Sequence, residues 1–179
     1  MSDLVKVTAR QENSDDCFVC GVHNKLGFRS MFYETEKEEV ICLADSRFEY
    51  QSYPERLHGG ISTTLLDETM GRAILIKNPD TFGVTIDMTT KFLKPVPLGQ
   101  TLRIIGKITQ DRRIFIAEGR ILLEDGTIAV TATARYLKMP IPKIAESLSS
   151  GENIMYMVDT EKEIAEISDS GPLQIIYKD

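Results

Sequence analysis

Residues 60–77 have the hydrophobic spacing of a helix that is apolar on nearly every side. With Ile61 at zero and about 100° per residue, the apolar side chains spread around almost the whole circumference: Ile61, Leu65, Leu66, Met70, Ala73, Ile74, Leu75 and Ile76. A helix with this pattern is buried in a core. The segment 78–80 (Asn-Pro-Asp) ends it, because proline does not continue a helix.

Segments of alternating polarity follow the helix and predict an antiparallel sheet. Residues 82–94 place four apolar side chains on one face and four polar ones on the other: Val84, Ile86, Met88 and Phe92 against Thr85, Asp87, Thr89 and Lys91. Residues 101–110, 112–123 and 127–138 continue as strands, and 27–34 and 39–45 are earlier ones. Residues 1–16 are polar and predict irregular structure or a short helix. The simplest packing is an α+β fold in which the sheet wraps around the one long helix.

A different composition begins at Pro140 and Pro142. We predict a helix near Ile154–Ile167 and a short apolar end at Leu173–Tyr177, which pack on the domain or on a partner subunit. The chain therefore divides into a domain of residues 1–139 and a C-terminal extension of residues 140–179.

The 179 residues carry a net charge of −6, which argues against general nucleic-acid binding but allows a small anionic ligand. The start of the chain lacks the apolar region of an export signal, and no apolar run approaches the length of a membrane span. Three cysteines, an odd number, fit a reducing compartment. We expect a cytoplasmic protein with no membrane partner.

Asp67 and Glu68 place carboxylates in the apolar helix. An unpaired buried carboxylate costs several kcal/mol in practice, so such groups are paired, protonated or functional. A structural alternative is that one of them caps a neighbouring element or pairs with Arg72. Asp67 follows His58 by nine positions, and both carboxylates are candidates for a functional acid.

The turn His58-Gly59-Gly60 opens the helix. Glycines allow close backbone approach, and the first N–H groups of a helix lack intrahelical partners at the positive end of the dipole. Such a turn can hold a developing oxyanion; alternatively, the glycines only let the helix pass through a crowded interior. Gly59 and Asp67 lie about 12 Å apart along one helix, so one carbonyl cannot easily use both. We expect a homodimer with two shared sites.

The segments QSYPERLHGGISTTLLDETMG and GVTIDMTTKFLKPVPLGQ, with the lead-in CFVCGVHNKLGF, resemble the hotdog-fold acyl-CoA thioesterases, in particular the phenylacetate-type (PaaI-like) branch. The resemblance covers residues 15–139. It implies a hotdog fold, hydrolysis of acyl-CoA thioesters, and dimers that often pair into tetramers. Coenzyme A is then part of the substrate, and no separate cofactor is expected.

The resemblance also implies roles for single residues. Gly59 matches the backbone N–H that polarises the thioester carbonyl, and Asp67 matches the general base or nucleophile. The nine-residue spacing from His58 favours Asp67 over its rival Glu68 for this role. Gln51 matches an amide that holds the carbonyl or the water, and Thr85 matches a hydroxyl that orients the water. His58 matches the motif histidine, whose role is usually architectural; as a general base it remains an alternative.

Two groups of side chains are candidates for binding coenzyme A phosphates or a metal ion, and each group also has a purely structural interpretation. Lys91, Lys94 and Arg113, with the neighbouring Arg112, are candidates for coenzyme A phosphates; alternatively they form a solvated sheet edge. The pair Cys17–Cys20 resembles half of a zinc site, but a structural zinc site takes four ligands. The remaining cysteine and histidines have other expected places, so we predict packing of this loop and no metal.

Two other functions remain open. A hydratase or dehydratase acting on acyl thioesters pairs a histidine with an acid. That histidine is expected near the position of Gln51, and its absence there counts against this function. A non-catalytic acyl-CoA binding or regulatory module is also compatible with the sequence, although residues 1–26 are too short and polar for a helix-turn-helix.

Overall fold

The computed structural model describes residues 3–145 and 155–178. Nine strands form one antiparallel sheet in the order β4-β7-β6-β5-β3-β2-β1-β8-β9. Their bounds are β1 Leu4–Arg10, β2 Met31–Thr35, β3 Val40–Asp45, β4 Thr81–Phe92, β5 Thr101–Gln110, β6 Ile114–Leu122, β7 Ile128–Pro140, β8 Ile164–Ser168 and β9 Ile175–Tyr177. The helices are α1 Gly59–Arg72, which continues as a 3-10 turn over Ala73–Ile76, a 3-10 turn over Phe48–Tyr50, and the short α2 Ile141–Ala145.

Helix α1 packs on one face of the sheet and forms the main core with β5, β6, β7 and β3. Leu65, Leu66 and Met70 are fully buried there. Gly119 of β6 lets the helix approach closely, because a Cβ at that position would lie 2.8 Å from Met70 Cγ. The predicted fold, a sheet wrapped around one central helix, is confirmed.

A second core lies on the opposite face of the sheet. Ile41 and Ile105 point away from α1 and pack with Val5 of β1 and with Ile164 and Ile167 of β8. Strand β1 bridges the two parts, since its first half pairs with β8 and its second half with β2. The C-terminal extension therefore covers the back of the sheet with a hairpin.

Two predicted elements were wrong. Residues Leu4–Arg10 form a strand where irregular structure or a short helix was expected, because β8 pairs with a segment whose own hydrophobic pattern is weak. The helix expected near Ile154–Ile167 is absent from its described part, in which Ile164–Ser168 is strand β8; residue 154 lies outside the described residues. Pairing with β1, far away in sequence, outweighs local helical spacing there.

Strand β4 also departs from its predicted alternation. A bulge lies between Thr85 and Asp87, so Ile86 is an extra residue and the faces exchange at that point. Thr85 and Met88 consequently both face α1, although the pattern put them on opposite faces. β4 is an edge of the sheet, and its apolar side chains Val84, Ile86 and Phe92 are exposed.

Candidate active site

Helix α1 and strand β4 run antiparallel, and Asp67 lies where they meet. The hydroxyl of Thr85 donates to Asp67 Oδ1 at 2.9 Å. The hydroxyl of Tyr136 lies 3.2 Å from the same oxygen and 3.1 Å from the Asp67 carbonyl oxygen. Thr85 and Tyr136 are direct cross-strand partners on β4 and β7, so the sheet register itself brings both donors to one carboxylate.

Tyr136 is the part of this arrangement that the sequence did not indicate. Its ring is fully buried and stacks on Phe115, with centroids 5.0 Å apart. Burial, and the negative charge of Asp67, raise the pKa of the Tyr136 hydroxyl. The hydroxyl therefore stays protonated and acts as a donor to Asp67.

Glu68 has a separate partner. Arg72, one turn further along α1, donates from Nε to Glu68 Oε1 at 2.8 Å and from Nη1 to the carbonyl of Glu12 at 2.9 Å. The alternative of pairing with Arg72 thus holds for Glu68. The hydrophobic pattern predicted that α1 is buried on nearly every side. Asp67 and Glu68 are only half-buried, so a single chain does not cover α1 completely. The side that carries the carboxylates is open.

The His58-Gly59-Gly60 turn begins α1 as predicted. His58 is the N-cap residue, and its Nδ1 accepts the N–H of Gly60 at 2.9 Å. This contact is of the architectural kind that the resemblance implied for His58. The N–H of Gly59 has no hydrogen-bond partner among the described residues, which leaves it available to a ligand. Both glycines are helical and neither has a positive φ. Gly59 lies close to the Phe92 ring, since a Cβ on this glycine would be 3.2 Å from it.

Asp67 and Gly59 line two different cavities of the chain. The first has a volume of about 320 Å³ and is walled by Asp67, Thr85, Glu68 and apolar side chains that include Phe82, Val84 and Met155. The second, about 420 Å³, lies between the start of α1 and the end of β4, beside Gly59 and Phe92. One chain therefore keeps the candidate acid and the candidate N–H donor apart, as their spacing along the helix predicted.

Similarity to known proteins agrees with this architecture. Residues 55–130 match the family model of the thioesterase superfamily. A solved structure, the thioesterase superfamily protein RHA08564, is 27% identical with a TM-score of 0.64 and covers 69% of this chain and 60% of its own. Over residues 55–130 the chain is similar to the thioesterase superfamily. The predicted PaaI-like branch is consistent with these findings.

Two further similar proteins have names that mention an acyl-coenzyme A. Acyl-coenzyme A thioesterase THEM4 of Rattus norvegicus is 24% identical over 125 residues, which are 68% of this chain and 53% of the relative. The chain thus spans about half the length of that protein. The smu.793 protein of Streptococcus mutans, solved bound to acetyl CoA, shares the fold at 24% identity and a TM-score of 0.53, over 57% of this chain and 82% of its own.

The other predicted site residues are dispersed. Gln51 accepts the N–H of Glu55 at 2.8 Å in the loop before α1, so its Oε1 is used within the loop. Lys94 lines the Gly59 cavity together with Arg56, a cation that the sequence did not single out. Lys91 lies on the face of the sheet opposite α1, and Arg113 lies in the turn between β5 and β6. The predicted roles of these residues stay predictions.

The loop before β2 adds two thiols to the Asp67 cavity. Cys17 and Cys20 line its wall. A hydrogen bond between the two thiols raises the pKa of Cys17 and lowers that of Cys20, whose thiolate is further favoured by Arg72. The sequence indicated the pair but not its position beside Asp67 and Glu68.

Among the described helices, none is long and apolar enough to cross a membrane.

Proposed function

We propose that this protein hydrolyses acyl-CoA thioesters at two equivalent sites, each built from Asp67 of one chain and Gly59 of a second copy. The observation that carries the proposal is the pair of separated half-sites. A carboxylate held by two hydroxyl donors lines one cavity, and an unpartnered helix N–H lines another. The names of the similar proteins support acyl-CoA as the substrate class.

Each half-site has a distinct chemical task in this proposal. Asp67 accepts a proton from a water molecule, which attacks the thioester carbonyl. The N–H of Gly59 stabilises the tetrahedral oxyanion, a contribution of about 3–4 kcal/mol for one such donor. The intermediate collapses, the bond from carbon to sulphur breaks, and coenzyme A leaves as its thiolate, which takes up a proton. Thr85 and Tyr136 keep the Asp67 carboxylate oriented throughout.

In this proposal the two copies contact each other through the edge strand β4. An edge strand with exposed apolar side chains is a template for pairing with another chain. Along the α1–β4 pair, Asp67 lies beside Thr85 and Gly59 lies beside Phe92. A two-fold axis that passes between Met88 and Thr89 of paired β4 strands would set Thr85 of one chain opposite Phe92 of the other. Asp67 then faces the Gly59 of the second copy.

The two cavities differ in the part of the substrate that each suits. The Asp67 cavity has mostly apolar walls, which fit an acyl group. The Gly59 cavity presents Lys94 and Arg56, whose charges fit the phosphates of coenzyme A. We therefore propose that the acyl group enters beside Asp67 of one chain while the coenzyme A arm lies over Gly59 of the other.

The remaining functions are less well supported. A hydratase needs a histidine paired with the acid, but the described partners of Asp67 are hydroxyls, and Nδ1 of His58 is engaged at the helix N-terminus. A non-catalytic binding module stays the alternative of a different class. It predicts stoichiometric acyl-CoA binding without release of thiol.

The test is a thiol-release assay of the purified chain with a panel of acyl-CoAs. Asp67→Ala should lose at least a hundredfold in kcat/KM, while Asp80→Asn, an exposed aspartate outside both cavities, is the matched control and should match the wild type. Activity retained by Asp67→Ala would contradict the assigned acid. Acyl-CoA binding without turnover would favour the binding module instead.

A mixing experiment tests the shared site separately. Asp67→Ala and Gly59→Val chains are each inactive in the proposal, but a mixed dimer contains one site with both native residues. Mixing should therefore restore up to a quarter of the wild-type activity per chain at equal ratio. If subunits exchange and no activity returns, the two half-sites do not combine as proposed, whatever the outcome for Asp67 alone.

A further inference from the structure

The Cys17–Cys20 turn has the backbone geometry of a thiolate-holding loop. The N–H groups of Val19 and Cys20 both point at Cys17 Sγ, at 3.3 Å and 3.4 Å. Gly21 closes the turn by donating to the carbonyl of Cys17 at 2.8 Å, and a Cβ there would lie 2.3 Å from that oxygen. Two N–H donors aimed at one sulphur fix its position and can solvate the charge that it carries as a metal ligand.

Glu68 completes a third ligand position from a different element. One carboxylate oxygen of Glu68 and the sulphurs of Cys17 and Cys20 all lie within 4.8 Å of one another. Ligand atoms around a tetrahedral zinc ion stand roughly 3.8 Å apart, given zinc–sulphur bonds of about 2.3 Å. Side-chain movements of about 1 Å would therefore bring the three ligand atoms to the separations that a zinc ion requires.

Arg72 has the role expected of a residue behind a metal ligand. It donates to Glu68 Oε1 at 2.8 Å, and Oε2 accepts no hydrogen bond from a described residue. Ligating carboxylates are commonly oriented by such a second partner. Two thiolates and a carboxylate carry three negative charges; the buried Arg72 balances one, and a divalent ion balances the other two.

We propose that Cys17, Cys20 and Glu68 bind a borderline-soft divalent ion of the zinc class. Cysteine sulphur and carboxylate oxygen together suit zinc better than magnesium or calcium. All three side chains line the Asp67 cavity, so the fourth coordination position faces that cavity and takes water or a ligand. The ion would fasten the N-terminal loop to α1. The proposal is independent of thioester hydrolysis and revises the expectation of no metal.

The test uses Co²⁺ as a spectroscopic probe and Zn²⁺ as its competitor, with the full-length protein reduced and stripped of metal. About one Co²⁺ per chain should bind with a sulphur-to-cobalt charge-transfer band, and Zn²⁺ should displace it. Cys17→Ser and Cys20→Ser should abolish the band. Glu68→Gln should weaken binding roughly 10- to 100-fold, and Cys42→Ala, which removes the thiol outside the cluster, should keep it.

Several results would overturn the proposal. One is a Co²⁺ titration of the wild type without a charge-transfer band; another is equal affinity in the wild type and in both serine variants. A third is a rate of reaction of Cys17 and Cys20 with a thiol reagent that is the same with and without Zn²⁺. Should the serine variants fail to fold, Glu68→Gln decides alone, because the amide oxygen of glutamine can still accept the hydrogen bond from Arg72 Nε. Unchanged affinity in that variant removes Glu68 from the site and overturns the proposal.

Discussion

Removing the Tyr136 hydroxyl isolates what that group does for Asp67. Tyr136→Phe keeps the ring stacked on Phe115 and leaves Thr85 as the donor to Asp67 Oδ1. A hydrogen bond to a charged group contributes about 1.5–3 kcal/mol. The lower end applies here, because the Tyr136 oxygen is 3.2 Å from Oδ1 and also serves the Asp67 carbonyl oxygen. Since about 1.4 kcal/mol is tenfold in rate, we expect kcat/KM to fall about tenfold.

The assay for this variant separates positioning from general loss of structure. If Tyr136 acts by holding Asp67, the loss should appear in kcat with KM little changed. Thr85→Val should produce a similar loss, and the double variant should cost less than the product of the two, because both groups hold one carboxylate. In an Asp67→Ala background, Tyr136→Phe should change the residual rate by less than twofold.

A tenfold loss that persists in the Asp67→Ala background would refute this reasoning, because the hydroxyl would then act independently of the carboxylate. Full activity of Tyr136→Phe would refute it as well. Thermal unfolding of each variant is the control: the hydroxyl is partly buried, so a loss of about 1 kcal/mol in folding free energy is expected, and a much larger loss would mean that the kinetic comparison is not clean.

Two further predictions concern the sheet. Arg103→Met should destabilise the fold by about 3 kcal/mol in urea unfolding, because the fully buried Arg103 donates to the Ser168 carbonyl at 2.8 Å and to the Gly171 carbonyl at 2.6 Å; an equal loss in the exposed control Lys25→Met would contradict that cause. Ile86→Lys should weaken the affinity of self-association at least tenfold in sedimentation and should lower activity in parallel. The control is Ile128→Lys, which should change neither; Ile128 is 43% exposed and Ile86 is 46% exposed. Unchanged association of Ile86→Lys would remove β4 from the proposed contact.

Local pattern was enough for the elements whose signal is strong. The helix predicted over 60–77 is Gly59–Arg72 followed by a 3-10 turn to Ile76, because its hydrophobic spacing and the Asn-Pro-Asp stop agree. The later strands also lie within a few residues of their predicted bounds, since polar turns separate them and most of these turns contain proline or glycine. Strands β1 and β8 could not be found this way, because each is stabilised by pairing with the other.

The site divides along the same line. The sequence by itself placed Asp67 and Glu68 on an apolar helix and Gly59 at its start, and it put Asp67 and Gly59 too far apart for one carbonyl. These conclusions need only helix geometry and the cost of burying charge. They do not depend on which strands lie beside the helix.

Only the tertiary structure decided which groups surround Asp67. The register of β4 and β7 sets Thr85 beside Tyr136, and the bulge at Ile86 turns Thr85 toward the helix. The fold of the N-terminal loop brings Cys17 and Cys20 to Glu68. Contacts of this kind join residues far apart in sequence, and a shift of one residue in strand register would turn each side chain to the other face. The physical reason is that chain pattern fixes which face is apolar, whereas register fixes which side chains meet.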